Sequence, residues 1–354
     1  MSRSLAIAQV CFPSFGGSGV LASELSVGLA ARGHRVHVFA SAPLSRPLPA
    51  CERLSFHRVD VPSYPLFEQA QYAMALASSL IELARREPLD ILHVHYAVPH
   101  AAAAHLACRA LGGKAPRVVV TLHGTDVTRV GSDPAYRAAT QFSVEACDAI
   151  TVPSAYLKEE TYERLGVSRT RELHVIPNFV DTEHFAPAAR RDRAELGRLL
   201  AEAGCRHEVA EGPVLFHASN FRALKRVGDL FEVLARVRTR APAHLLLVGD
   251  GPERAYAEQR ARELGLGEHV CFLGHRAEFV PYLQQADVFL LPSETESFGL
   301  AALEALAEAA GLPVVLEAGQ VVRADVVDLV QFRAAAEFGA DRVPEQLENL
   351  DAFF

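Results

Sequence analysis

The sequence predicts an α/β protein made of two doubly wound domains, and three features carry that prediction. Short apolar, β-rich runs alternate with segments of helical periodicity from the first residues onward, the pattern of parallel βαβ units. A glycine-rich stretch, FPSFGGSGV at residues 12–20, joins the first strand to the first helix. The alternation then lapses in a charged, alanine-rich interval over residues 181–212 and starts again. At 354 residues, size alone favours two domains over one.

In order, SLAIAQV reads as a strand, VLASELSVGLAARG as a helix starting at Val20, and RVHVFA as a strand. LSFHRVD is a strand, FEQAQYAMALASSLIELARR a helix, DILHVHY a strand, PHAAAAHLACRALG a helix and RVVVTLH a strand. Helix RAATQFSVEAC, strand DAITVPS, helix AYLKEETYERLG and strand LHVIPNF complete the first half. The second half runs through the strands PVLFHAS, HLLLVGD, HVCFLG and ADVFLLP, each followed by a helix. The expected division is a first domain at 1–180, a boundary at 181–212 and a second domain at 213–354, with ligand in a cleft between the two.

Composition narrows the partners. A formal charge of −8 argues against a broad basic surface for nucleic acid or anionic lipid. The N-terminus MSRSLAIAQVC lacks a signal h-region, and no apolar run of 18 residues suggests a bilayer span, so a cytoplasmic protein without stable membrane association is expected. The six cysteines are widely separated and form no CxxC; they read as small buried hydrophobes rather than a disulfide scaffold or zinc knuckle. A homodimer is the default expectation for a soluble enzyme.

Gly16, Gly17 and Gly19 sit just past the first strand. Glycines there permit positive φ and close backbone approach, and a helix N-terminus offers N–H groups to an anion. GGSG is neither GxGxxG nor GxxxxGK[ST], and a tight structural turn would explain it equally well. In HASNFRALKRVGDL, Arg222 and Lys225 lie three positions apart at the expected start of a helix, where they would share a face and could neutralise a diphosphate. Arg226 points elsewhere, toward solvent. SETESFGLAALEALA places Glu296 in a strand-to-helix loop and Glu304 eight positions on, inside the helix, with an SFG bend between them. Such carboxylates accept hydrogen bonds from the hydroxyls of a nucleotide sugar; alternatively Glu296 caps the helix and Glu304 lies on a solvated face. TLHGTD puts His123 at the carboxyl end of a strand, placed to donate to a sugar hydroxyl or phosphate, with Asp126 fixing the turn. In DILHVHYAVPH, His93 and His95 share a strand face and could with His123 suggest metal, but no compact ligand set is visible; Tyr96 and His100 are read as facing the cleft.

FPSFGGSGV, TLHGTD, SNFRALKR, LLLVGDGPE and ESFGLAALE together resemble the GT-B-fold glycosyltransferases of family four, over roughly residues 5 to 315. HVHYAVPHA, TLHGTDVT and GSDPAY are most similar to the branch of that family in bacillithiol biosynthesis. The resemblance implies two Rossmann-like domains, an N-terminal acceptor side and a C-terminal donor side. It implies retaining transfer of N-acetylglucosamine from UDP-N-acetylglucosamine to the hydroxyl of L-malate, with no cofactor and no metal. His123, Arg222, Lys225 and Glu296 would be the catalytic set. Gly16, Gly17, Ser219, Asn220, Arg222, Lys225, Glu296, Ser297, Phe298, Gly299 and Glu304 would bind the donor, and Tyr96, Thr125 and Ser154 the acceptor.

The resemblance lapses after GLPVV, where LEAGQVVRADVVDLVQFRAAAEFGADRVPEQLENLDAFF stands in place of a glycine-containing loop, so the C-terminal end is expected to be shortened or altered after about 315. Three other functions are weighed. Another family-four enzyme with a different small or lipid acceptor would show its nature in the acceptor wall. A catalytically impaired nucleotide-sugar-binding protein would bind without turnover. A nicotinamide dehydrogenase lacks its fingerprint here.

Overall fold

The computed structural model describes residues 3–13, 17–63, 71–186, 191–205, 209, 211–308, 314–316 and 321–322. Contacts divide the chain into two units, Met1–Asn178 and Phe179–Phe354.

In the N-terminal unit seven strands, β1 (Ala6–Val10), β2 (Arg35–Ala40), β3 (Leu54–Arg58), β4 (Ile91–His95), β5 (Arg117–Thr121), β6 (Ala149–Val152) and β7 (Leu173–Val175), form one parallel sheet in the order β3-β2-β1-β4-β5-β6-β7. β1 is an interior strand, and every one of its residues is buried, which is why AIAQV is an unbroken apolar run but for Gln9. Two cores flank the sheet. One gathers Leu76, Leu80, Leu92, Val120, Ile150 and Leu157, and the other Ala22, Val36, Val38 and Leu44. The helix Tyr72–Arg86 buries Leu76, Ala77, Leu80 and Leu83, spaced three and four apart, and the helix Ala102–Leu111 turns Ala103, Ala104 and Ala107 inward. Small residues on that face let the two helices approach.

In the C-terminal unit β8 (Val214–Ala218), β9 (His244–Val248), β10 (Val270–Gly274), β11 (Val288–Leu291), β12 (Val314–Leu316) and β13 (Val321–Val322) are ordered β10-β9-β8-β11-β12-β13, with only the β12–β13 pair antiparallel. Phe216, Leu246, Phe289 and Ala302 pack on one face of the sheet, and Leu215, Leu230, Leu234 and Leu245 on the other. The helix Arg193–Glu202 is capped by the Asp192 carboxylate, which accepts from the N–H groups of Ala194 (2.9 Å) and Glu195 (3.4 Å). It adds Leu196 and Leu200 to the first of these cores.

Three sequence expectations are corrected. The first helix runs from Gly17 to Ala31, three residues ahead of Val20. Gly17 and Gly19 therefore belong to the helix and not to the turn before it. Cys205 and Cys271 form a disulfide with Cα atoms 6.0 Å apart, because the chain leaving the helix Arg193–Glu202 comes back against β10. Cys11 and Cys147 are buried thiols, as expected, while Cys51 is exposed. Gly16 and the C-terminal end expected to be shortened or altered, apart from the backbone of β12 and β13, lie outside the described residues. Among the described residues no helix is long and apolar enough to cross a membrane.

Candidate active site

A parallel sheet offers ligands the crevice at its carboxyl edge, where neighbouring strands send their chains in opposite directions. That switch falls between β1 and β4 in the N-terminal unit and between β8 and β11 in the C-terminal unit. Nearly all the residues singled out in the sequence sit on loops or helices that leave these edges.

At the N-terminal unit's edge, β4 ends at His95 and the chain turns at Tyr96, which holds φ 83°. The Tyr96 ring stacks on His123 at 5.4 Å and meets Phe12, from the loop after β1, edge-on at 5.2 Å. The Asp126 carboxylate, fully buried, accepts from the N–H groups of His123 (3.0 Å), Gly124 (2.8 Å) and Ala97 (3.4 Å). It thereby ties the chain leaving β5 to the chain leaving β4, and it fixes the turn as the sequence suggested. Burial raises its pKa to about 6 despite those donors.

Behind His123 lies a histidine cluster. His95 Nδ1 is 3.0 Å from His123 Nε2, and His95 Nε2 is 3.0 Å from the Gln9 amide oxygen. His93 stacks on His95 at 4.5 Å and bonds Thr121 Oγ1 at 2.7 Å. His100 donates from Nδ1 to the His95 carbonyl. Burial pushes His93 and His100 down to about 4 and His123 to about 3, and holds His95 well below the usual histidine range. All four rings are neutral near pH 7. With the Gln9 oxygen facing it, His95 Nε2–H donates and its bare Nδ1 accepts from His123 Nε2–H. In that tautomer His123 keeps Nδ1 as an acceptor, which suits a sugar hydroxyl. His100, read from the sequence as facing the cleft, is instead fully buried against Phe12, ring centroids 4.3 Å apart. Among the described residues no group of three or more His, Cys, Asp and Glu is placed to hold a metal ion.

Tyr96, Thr125 and Ser154 follow β4, β5 and β6 in turn, so they share one edge of one sheet. Ser154 also caps the helix Ala155–Glu160, its hydroxyl accepting from Leu157 N at 3.1 Å. That local task accounts for a serine there without a ligand.

In the C-terminal unit the loops after β8 and β11 meet. Lys225 Nζ donates to Glu296 Oε1 at 2.6 Å, with side chains 17% and 22% exposed, and Glu294 N donates to the Leu224 carbonyl at 2.9 Å. Arg222 and Lys225 do not share a helix face. Arg222 is extended at φ −98° and exposed, Ala223–Lys225 is a single tight turn, and the helix begins only at Asp229. Arg226 pairs with Asp229 at 2.5 Å rather than standing free in solvent. Ser297 and Phe298 are half-buried and lead to Gly299 at φ +82°, whose carbonyl receives the N–H groups of Ala302 and Leu303 at 3.0 and 3.1 Å. The helix Leu300–Glu308 then carries Glu304, only 7% exposed, which removes the solvated-face reading.

Ser219 and Asn220 follow β8 directly. Gly249, at φ +119° after β9, lies so close that an added Cβ would stand 1.8 Å from the Ser219 carbonyl oxygen. Gly249→Ala must therefore push the loop after β8 aside and adopt a strained backbone. Urea unfolding is expected to show a loss of at least about 2 kcal/mol; a change within about 0.5 kcal/mol would mean the loop yields freely.

Sequence reasoning missed Gln9 and His217 as parts of these sites. The signal available was a polar residue within an otherwise apolar strand, as in AIAQV and VLFHA.

Two Rossmann-like α/β units, each with its polar residues at a switch point, define the glycosyltransferases of the GT-B class. Residues 15–184 match Glycosyltransferase Family 4, and residues 206–333 match Glycosyl transferases group 1. Over 324 residues, 89% of this chain and 82% of that protein, the sequence is 39% identical to the N-acetyl-alpha-D-glucosaminyl L-malate synthase of Bacillus anthracis. The chain belongs to glycosyltransferase family 4. The fold is shared with a sucrose-phosphate synthase from Thermosynechococcus elongatus (TM-score 0.66, 21% identity, 89% of this chain and 81% of that one). It is also shared with Anabaena HepE in complex with UDP-glucose (TM-score 0.66, 19% identity, 88% and 80%).

Proposed function

We propose that this protein transfers N-acetylglucosamine from UDP-N-acetylglucosamine to the hydroxyl of L-malate with retention of the α configuration, the hexosyl-transfer step of bacillithiol biosynthesis. The 39% identity to an N-acetyl-alpha-D-glucosaminyl L-malate synthase over most of both chains carries this reading. The donor lies on the C-terminal unit and malate on the N-terminal unit, against Tyr96, Thr125 and Ser154. The protein acts in the cytoplasm as a homodimer, a state that light scattering on the purified chain checks.

In the reaction the bond between the anomeric carbon and the UDP phosphate oxygen breaks, and a bond to the malate hydroxyl oxygen forms on the same face. The hydroxyl proton passes to the departing phosphate. Lys225 and Arg222 stabilise the negative charge that grows on UDP. Glu296, held by Lys225, orients the donor sugar, and Glu304 binds the ribose hydroxyls. Gly16, Gly17 and Asn220 approach the diphosphate with backbone groups, and Ser297, Phe298 and Gly299 wrap the sugar. His123 Nδ1 accepts from a sugar hydroxyl.

The test is a mass-resolved reaction of the purified chain with UDP-N-acetylglucosamine, with and without L-malate and without added metal. The expected result is the N-acetylglucosaminyl-malate mass together with UDP. UDP without the conjugate would overturn the acceptor, and an inert but donor-binding protein would overturn the assignment as a working enzyme.

A further inference from the structure

His217 is the penultimate residue of β8, wholly buried between Phe221 and Phe289, whose rings lie 6.3 and 6.5 Å from its own. Its two nitrogens have one partner each. Nδ1 is 2.8 Å from the backbone carbonyl of Leu290 on β11, and Nε2 is 2.8 Å from Ser219 Oγ. A carbonyl oxygen can only accept, so Nδ1 carries the hydrogen. Burial lowers the ring's pKa to about 4, with the nearby Lys225 charge acting in the same direction and the Leu290 carbonyl opposing. The ring is therefore neutral near pH 7 and Nε2 is a bare lone pair. The Ser219 hydroxyl must then donate inward.

A serine hydroxyl has one hydrogen and two lone pairs. With the hydrogen committed to His217, only lone pairs remain for anything that meets Ser219 from outside. The backbone of Ser219 is fixed, because its own N–H donates to the Val248 carbonyl at 3.1 Å and its carbonyl is packed against Gly249, and from that backbone the hydroxyl reaches His217. Ser219 is partly exposed, and Lys225 and Glu296 close the same switch point.

We propose that His217 is a positioning residue that makes Ser219 an obligate hydrogen-bond acceptor, so that Ser219 reads a hydroxyl or amide N–H on the ribose, base or sugar of the donor and takes no part in holding its diphosphate. This rests on the reading of the C-terminal unit as a nucleotide-sugar site. It divides the labour there by charge: the phosphates fall to Arg222 and Lys225, and a hydrogen-bond donor falls to the serine.

Two measurements test it. In the ligand-free protein, long-range ¹⁵N–¹H spectra, with His217 assigned by the signals lost in His217→Gln, should show Nδ1 protonated and Nε2 bare from pH 8 down to pH 5. The opposite tautomer, or a charged ring at pH 6, would overturn the proposal whatever the protein binds. Calorimetry then compares the wild type with Ser219→Ala against UDP-N-acetylglucosamine, UDP and inorganic pyrophosphate. Losing one neutral hydrogen bond should weaken binding about 3- to 10-fold. A loss for the nucleotide sugar alone places the contact on the sugar, and a loss for both nucleotides places it on the nucleoside. Pyrophosphate should bind both proteins equally. An equal loss for pyrophosphate, or no loss for any of the three, overturns the proposal. Should the folded wild type bind pyrophosphate and no nucleotide sugar, the functional reading falls, and the spectra still decide the tautomer.

Discussion

Lys225→Ala is expected to lower kcat/KM for transfer from UDP-N-acetylglucosamine by about a hundredfold or more, the scale seen when one preorganised group opposite developing charge is removed. The reason lies in the 2.6 Å contact between Lys225 and Glu296, two side chains less than a quarter exposed at the junction of the loops after β8 and β11. Removing the ammonium takes away a charge that opposes the departing diphosphate. It also leaves a largely covered carboxylate without its partner, so Glu296 is free to swing from the position in which it meets the sugar. Lys225→Arg should recover little, because a planar fork does not replace a compact point charge at that distance. Glu296→Gln should lose less in UDP affinity than Lys225→Ala and more in kcat. A double-mutant cycle between the two positions measures their coupling, which should exceed the few tenths of a kcal/mol expected for independent sites. If Lys225→Ala raised KM alone and left kcat intact, the residue would be a ground-state anchor, and its role toward the leaving group would be wrong.

The elements were legible because each is a simple pattern. PVLFHAS, HLLLVGD, HVCFLG and ADVFLLP are the strands β8, β9, β10 and β11, since strands buried on both faces read as unbroken apolar runs. The loops that carry the chemistry were legible only by position. Glu296 and Lys225 are 71 residues apart, and nothing local in SNFRALKR or SETESFG says that they touch. What brings them together is strand order: β8 and β11 are neighbours although β9 and β10 intervene in sequence. The helix expected at Arg222 fails for a local reason. Phe221, at φ 26°, and Arg226, at φ 47°, bend the chain on either side of the tight turn Ala223–Lys225, and no spacing rule marks a non-glycine residue for that conformation.

The histidines were visible individually and hidden as a network. HVH places His93 and His95 two apart, which on a strand means one face. Their link to Gln9 on β1 and to His123 beyond β5 depends on β4 lying between those strands. Polar residues on two adjacent strands and just beyond a third then converge at one carboxyl edge, where the cost of burial is offset by their bonds to one another.

That network should make the N-terminal unit acid-labile well above the range in which carboxylates titrate. In the folded unit His93 and His100 are held to about 4 and His123 to about 3 by burial, and His95 well below the usual histidine range. In the unfolded chain each titrates near about 6.5. As pH falls from about 6.5 toward 4, the unfolded chain takes up protons that the folded unit excludes, so stability falls over that window. Each histidine contributes up to about 1.4 kcal/mol per pH unit. Burial also lowers His37 and His57, which act in the same direction. Asp126 acts oppositely. Its folded pKa of about 6 lies above the unfolded value, so its contribution is present at low pH and is lost as pH rises through about 6. Four histidines set against one aspartate leave a net uptake of about three protons on unfolding near pH 5. Because the rings touch, they titrate as a set and not one by one. The urea midpoint of the N-terminal unit should therefore drop steeply between pH 6.5 and 5, and His95→Gln should flatten the slope by about one proton. A midpoint that held steady or rose on acidification would mean that the cluster already carries protons in the fold. His123 would then meet its ligand as a cation, and the acceptor role derived from its neutral tautomer would fail with it.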